Sequence, residues 1–223
     1  MKLREILKIV FMVVTMHISV VQAMNYKVGL AAGYTDGSGI MFNGTISHLA
    51  RHFPFQIRLG IGYTNIENPG KALDARRIFI NNATNGTPQK YGHVWDFRMD
   101  LFYPVHWLKL PSAYFYAGPR YASFMGNFNF INGNEEFEVM SHHWGLGVGL
   151  NNSFHVSKRL ELVVDSGVDY FFPGTLHGHD TSYTPDNENV NPREDYKYGD
   201  ADAAINQPKF GLRFLMGLNY FFR

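Results

Sequence analysis

An all-β fold, eight antiparallel strands closed into an up-and-down transmembrane β-barrel, is predicted by three features of the sequence. Segments of apolar/polar alternation run too long for a soluble sandwich, they are even in number, and long connections alternate with short ones. The composition agrees. Charged residues make up only 17% of the 223, against 16% aromatics, with 19 Phe, 13 Tyr and 22 Gly. A disordered chain or a coiled coil needs more charge and fewer rings. A formal charge of +1 argues against a nucleic-acid binder. With no cysteine, a disulfide scaffold and a thiolate metal site are excluded.

Taken in order, residues 1–23 read as a secretory signal peptide. Lys2, Arg4 and Lys8 make a positive start, Ile9 to Val21 is an apolar stretch, and Val21-Gln22-Ala23 offers a small-residue cleavage site before Met24. The stretch falls short of the roughly 20 apolar residues of a spanning helix. From residue 24 a period of two takes over. Tyr26, Val28, Leu30, Ala32 and Tyr34 oppose Lys27, Gly29, Ala31 and Gly33, and a less regular strand runs from Ile40 to Leu49. Phe55, Ile57, Leu59, Ile61 and Tyr63 oppose Gln56, Arg58, Gly60 and Gly62. Trp95, Phe97, Met99, Leu101 and Tyr103 face away from Asp96, Arg98 and Asp100. From Ala113 to about Phe130, Phe115, Ala117, Pro119 and Tyr121 share a face opposite Gly118 and Arg120. Trp144, Leu146, Val148 and Leu150 alternate with glycines, and Leu160 to Tyr170 alternate with Glu161, Asp165 and Asp169. The last strand is the clearest. Phe210, Leu212, Phe214, Met216, Leu218, Tyr220 and Phe222 form one wholly apolar face, over more than twice the five or six residues usual in a soluble strand.

Two closed solutions compete for these strands. A secreted lipocalin-like barrel would bury the apolar face in a ligand cup, whereas a membrane barrel turns it to lipid and fills the lumen with polar groups and glycine. Aromatics at strand ends (Tyr34, Tyr63, Tyr103, Tyr170, Tyr220) and a glycine-rich polar face favour the membrane barrel. The two long connections, 65–92 and 173–208, fall on one side and are rich in Asn, Asp, Gly, Pro and Thr, so they are expected to be solvated surface loops.

On these grounds the chain resembles the small outer-membrane β-barrels of Gram-negative bacteria, the class typified by outer-membrane proteins A, X and W. The stretches that carry the likeness are Tyr116-Ala117-Gly118-Pro119-Arg120-Tyr121, the hairpin from Trp144 to Phe172, and the closing strand. The resemblance implies residence in the bacterial outer membrane with both termini in the periplasm. It also implies contact with outer-membrane lipid, insertion by the barrel-assembly machinery, and a monomer. That class ends on an aromatic residue; here Arg223 follows Phe222, displacing the aromatic by one position.

By parity the lumen receives Lys27, Arg58, Arg98, Arg120, Lys209 and Arg213 together with Asp96, Asp100, Glu161, Asp165 and Asp169. Eight strands leave an interior only just wide enough for side chains, so a crosslinked network with Tyr114 and Tyr116 is expected to plug it. The resulting functional reading is a non-enzymatic barrel displaying loops for structural or adhesive contact with an extracellular ligand or a host surface. Tyr183, Tyr196 and Tyr198 are candidate contact anchors. A narrow channel for small or hydrophobic solutes and a lipid-A-modifying enzyme are the alternatives.

For catalysis, Ser141 and His143 share a strand face with Glu136 or Glu138 nearby, but no nucleophile signature surrounds them, and no catalytic residue is assigned. His177-Gly178-His179-Asp180 offers ligands on a long Asn/Asp/Pro-rich loop without visible rigidity, so neither metal nor cofactor is expected. Asn82-Ala83-Thr84 and Asn85-Gly86-Thr87 match the glycosylation sequon.

Overall fold

The computed structural model describes residues 25–50, 53–83, 85–107, 110, 112–193 and 195–222. The expected leader of residues 1–23, Thr84 of the first sequon and the terminal Arg223 lie outside them. The wall consists of β1 (Asn25–Thr35), β2 (Ser38–Ser47), β3 (Gln56–Ile66), β4 (Thr87–Pro104), β5 (Ala113–Ile131), β6 (Glu135–His155), β7 (Leu160–Phe171) and β10 (Phe210–Phe222). Neighbours in sequence pair antiparallel, β7 passes to β10, and β10 closes on β1 with Tyr26 opposite Phe222 and Thr35 opposite Arg213. No strand edge is left along the closed belt, so the backbone groups there are satisfied without water.

The alternation settles which face goes where. Side chains of Phe210, Leu212, Phe214, Met216, Leu218, Tyr220 and Phe222 are 39–63% exposed on the outer wall. Their neighbours Arg213, Leu215 and Asn219 are buried inside. Rings gather in two belts on the outside. At the end holding the termini, Phe55 packs on Tyr103 (5.5 Å) and Tyr220 on Phe222 (5.2 Å). At the opposite end Tyr63 packs on Trp95 (5.0 Å), Tyr121 on Trp144 (5.1 Å) and Tyr170 on Phe172 (5.6 Å).

Beyond the second belt the architecture departs from the expected solvated loops. β4, β5 and β6 continue past it for 18, 19 and 21 residues in all, so β4 begins at Thr87, inside the expected loop 65–92. The β5–β6 hairpin turns at Asn132-Gly133-Asn134, where Asn132 (φ 65°) and Asn134 (φ 55°) take the left-handed backbone that asparagine tolerates. The two connections fold onto this hairpin as a cap. One contributes α1 (Ala72–Phe79); the other contributes β8 (Leu176–Gly178), β9 (Thr181–Tyr183) and α2 (Tyr198–Ala204), with β8 pairing to β6. They are also stitched to each other: Gly70 bridges Ile205, and Asn206 N–H donates to Pro69 O at 2.8 Å.

The cap has its own core. α1 buries Ala72, Ala75, Arg76 and Phe79, the i, i+3, i+4, i+7 face of a short amphipathic helix. Against it lie Phe124, Phe128, Phe130, Phe137, Val139, Leu176, Tyr183 and Ile205, all 0–5% exposed. Phe124, Phe128 and Phe130 stand on the same face of β5 as the lumenal Arg120. The solvent logic therefore inverts along one strand. Within the wall the apolar face looks outward; above it the apolar face looks inward.

Arg76 crosses this core under cover. It pairs with Glu135, donates from Nη1 to Asn85 O (2.7 Å) and sets its guanidinium 4.6 Å from the Phe130 ring centroid. The hydrogen bond from Arg76 holds the Glu135 carboxyl below the ordinary glutamate range. A folded-state value depressed in this way adds stability above the unfolded value of about 4.3 and loses it as pH falls through the folded one. Acidification from about pH 5 to about pH 3 is therefore expected to speed amide exchange across Ala72–Phe79. Glu135→Gln should abolish that pH step, and an undiminished step in the variant would count against the pairing as its cause.

Candidate functional site: the lumen and its outer mouth

Three arginines and three aspartates converge inside the wall and close on themselves. Arg58 on β3 donates from Nε and Nη2 to Asp100 Oδ2 of β4 at 3.1 and 2.8 Å. Asp100 also pairs with Arg120 of β5 at 2.7 Å. Arg120 Nε donates to Asp169 Oδ1 of β7 at 2.8 Å, and Asp169 meets Arg213 of β10. Arg213 Nε reaches Asp165 Oδ1 at 3.1 Å, and Asp165 Oδ2 returns to Arg58 Nη1 at 2.7 Å. Each arginine bridges two aspartates and each aspartate two arginines, so the ring is neutral. The Arg58–Asp165 bond joins strands four places apart in an eight-stranded wall, and so spans the lumen.

Aromatic side chains pack against the ring. The Tyr116 hydroxyl donates to Asp165 Oδ1 (2.8 Å) and accepts from Arg213 Nη2 (2.6 Å). The Arg58 guanidinium lies 4.5 Å from the Phe102 ring centroid and 4.8 Å from that of Tyr116. Glycine makes the room. A Cβ on Gly147 would come within 2.0 Å of Asp169 Oδ1, and one on Gly149 or Gly167 within 2.3 or 2.5 Å of the Tyr116 hydroxyl. The six charged members are 0–7% exposed.

The other charges assigned by parity lie apart from the ring. Lys27 sits below it, 3.7 Å from Glu161, and its Nζ is 5.9 Å from the ring centroid of Tyr114. Asp96 and Arg98 pair with each other above it. Lys209 does not enter the lumen. It precedes the first residue of β10, and although its carbonyl still accepts the Phe171 N–H (2.8 Å), its side chain is half exposed and pairs with Asp202 at the rim (2.8 Å).

The remaining sequence candidates resolve as follows. Ser141 and His143 do meet: the His143 Nδ1 lies 3.0 Å from the Phe172 carbonyl, so it carries the proton, and Nε2 accepts the Ser141 hydroxyl at 2.8 Å. A backbone carbonyl stands where a catalytic carboxylate would, and the two residues are 0 and 1% exposed beneath the cap. His177 and Gly178 belong to β8, and His179 and Asp180 form the tight turn to β9, exposed and paired to each other. Among the described residues no three histidine or acidic side chains are grouped to hold a metal ion, and no helix is long and apolar enough to cross a membrane. The three candidate tyrosine anchors are used by the cap itself. Tyr183 is fully buried and donates to Ile78 O (2.9 Å), Tyr198 accepts from Gln207 (3.2 Å), and Tyr196 packs against the core.

A closed eight-stranded wall, an apolar outer surface between two aromatic belts and charged side chains turned inward define a small bacterial outer-membrane β-barrel protein. Among solved structures, a major outer membrane protein from Thermus thermophilus superimposes with a TM-score of 0.72 at 25% identity, covering 90% of this chain and 100% of that one. Ail, the attachment invasion locus protein of Yersinia pestis, aligns at a TM-score of 0.42 and 10% identity over 89% of this chain and 97% of its own. CarO2 of Acinetobacter baumannii aligns at 0.40 and 12% over 89% and 98%. At such scores neither of the last two bears on the function of this chain. No family model matches the sequence, and no curated protein matches it.

Proposed function

We propose that the protein is a non-enzymatic, non-conducting monomeric barrel that holds a folded cap at the cell surface for contact with an extracellular ligand or a host surface. The observation that carries this reading is the neutral ring of Arg58, Asp100, Arg120, Asp169, Arg213 and Asp165, which crosses the lumen and leaves it filled with paired charge. An ion entering there would have to displace paired, desolvated partners, at a cost of several kcal/mol. The cap core and the burial of Ser141 and His143 support the display role over a catalytic one.

On this reading the apolar outer wall meets outer-membrane lipid, and residues 1–23 serve as a leader removed before the barrel-assembly machinery inserts the chain. One preparation tests both parts. Protein extracted from outer membranes is expected to have an intact mass that begins at Met24, and to give no single-channel steps in planar bilayers. Regular steps of one size would favour a solute channel and overturn the sealed lumen.

A further inference from the structure

Two methionines stand where burial does not explain them. Met125 of β5 and Met140 of β6 lie directly opposite each other on the outward face of the sheet, one pleat above the row of Trp95, Ser123 and His142. Among the described residues neither belongs to an apolar core, and Met140 is exposed. The outward side chains around them are polar, Ser123 and Asn129 on β5 and Glu136, Glu138 and His142 on β6. At this height, beyond the upper aromatic belt, the face meets water and headgroups rather than acyl chains.

The strand register extends this pair into a row. His93 of β4 is opposite Met125, and His177 of β8 is opposite Met140, so the row reads His93, Met125, Met140, His177 across four strands. The imidazoles beside the methionines differ in their surroundings. The His93 ring stacks on Tyr63 at 5.5 Å, and that of His142, two residues along from Met140, stacks on Tyr121 at 6.0 Å. His177 is exposed, and among the described residues its imidazole has no hydrogen bond, ion pair or ring contact. Composition alone gives the segment around His177 no rigidity, but β8 is laddered to β6, which fixes this residue beside the methionines.

We infer that Met125, Met140 and His177 bind a soft monovalent metal ion of the copper(I) class through two thioethers and one imidazole. Thioether sulfur selects copper(I) over harder divalent ions, and imidazole serves as its partner ligand. Opposed side chains have Cβ atoms about 4.5–5.5 Å apart, so an ion over Met140 stands about 5 Å to the side of the Cβ atoms of Met125 and His177. A thioether or imidazole arm plus a metal bond of about 2.0–2.3 Å covers that distance. Zinc(II) would turn to imidazole and carboxylate, of which no three are grouped among the described residues.

The test uses the full-length mature barrel in lipid nanodiscs and chloride-free buffer, labelled with 13C-methyl methionine. The Met125 and Met140 methyl resonances are assigned by their loss in Met125→Leu and Met140→Leu, exchanges that nearly conserve volume. Equimolar silver(I), an air-stable stand-in for copper(I), is expected to shift both resonances together. Those of Met99 and Met216, exposed on the lipid-facing wall, should stay in place, and zinc(II) should move neither pair. Anaerobic competition with bicinchoninate should show a single copper(I) bound per barrel. Met140→Leu and His177→Gln, their fold verified by heat-modifiable gel mobility, should each weaken that binding at least about tenfold, and His93→Gln should not. The inference is overturned if silver(I) moves Met99 or Met216 as much as Met125 and Met140, or if zinc(II) shifts the pair as silver(I) does. It is equally overturned if folded Met140→Leu or His177→Gln holds copper(I) undiminished, or if His93→Gln weakens binding as His177→Gln does.

Discussion

Asp165→Ala is expected to destabilise the barrel by about 3–5 kcal/mol, the cost of stranding partners of a buried ion pair. Asp165 serves two arginines at once, and the Tyr116 hydroxyl and Asn151 Nδ2 also donate to it. Its loss leaves Arg58 and Arg213 each with one remaining carboxylate in a space that admits little water. Guanidinium unfolding in phospholipid vesicles, followed by tryptophan fluorescence, measures the change. Asp202→Ala serves as the comparison, since its partner Lys209 is half exposed at the rim and such a pair contributes no more than about 1 kcal/mol. The double change Arg58→Met with Asp165→Leu should cost less than the two single changes added together, because it removes a charge of each sign from across the lumen. If Asp165→Ala and Asp202→Ala proved equally mild, the ring would not be what braces the lumen.

Phe79→Ala is expected to cost about 3–5 kcal/mol as well, but in a different unit of the molecule. Phe79 is fully buried, meets Tyr183 edge to face at 5.4 Å, and joins α1 to β8 and β9. The cavity left behind would sit in the cap, whereas the wall is held by its own ladders and by lipid. Limited proteolysis should therefore cut within 67–86 and 172–209 in the variant and spare them in the parent. Heat-modifiable gel mobility, which reports the barrel, should be the same for both. Loss of that mobility in the variant would show that cap and wall fold as one unit rather than two.

These two residues mark what can and cannot be read from the chain. Parity alone places Asp165 in the lumen, because a period of two leaves a strand residue only two faces and the opposite face is apolar except for Ser166. Its partner Arg58 is beyond such reach. The two are 107 positions apart, on opposite walls, and nothing local records which arginine faces which aspartate. Phe79 is hidden for another reason. The segment around it is short, and its helical face makes sense only against rings supplied by β5 and β6. A signal does exist in Phe124, Phe128 and Phe130, which carry apolar rings on the face that bears Arg120 lower down. Such a reversal marks the height at which the strand leaves lipid for water.

Lys209 shows the limit of the parity rule from the other side. It stands at the very start of the strand, where its carbonyl still accepts the Phe171 N–H but pairing with β1 has already ended, and its ammonium meets Asp202 of the cap instead of the lumen.

The sequence by itself determined the eight-stranded barrel, the outward face of its strands and the charged character of its interior. Alternation between two environments is a local property, written into every second residue. Only the tertiary structure decided the closure of six charges into one ring, the folding of two polar connections into a cap with an apolar core, and the three residues, Phe210 to Leu212, by which β10 extends past its pairing with β1. Each of these depends on which distant segments meet, and on the register at which β10 overtakes β1.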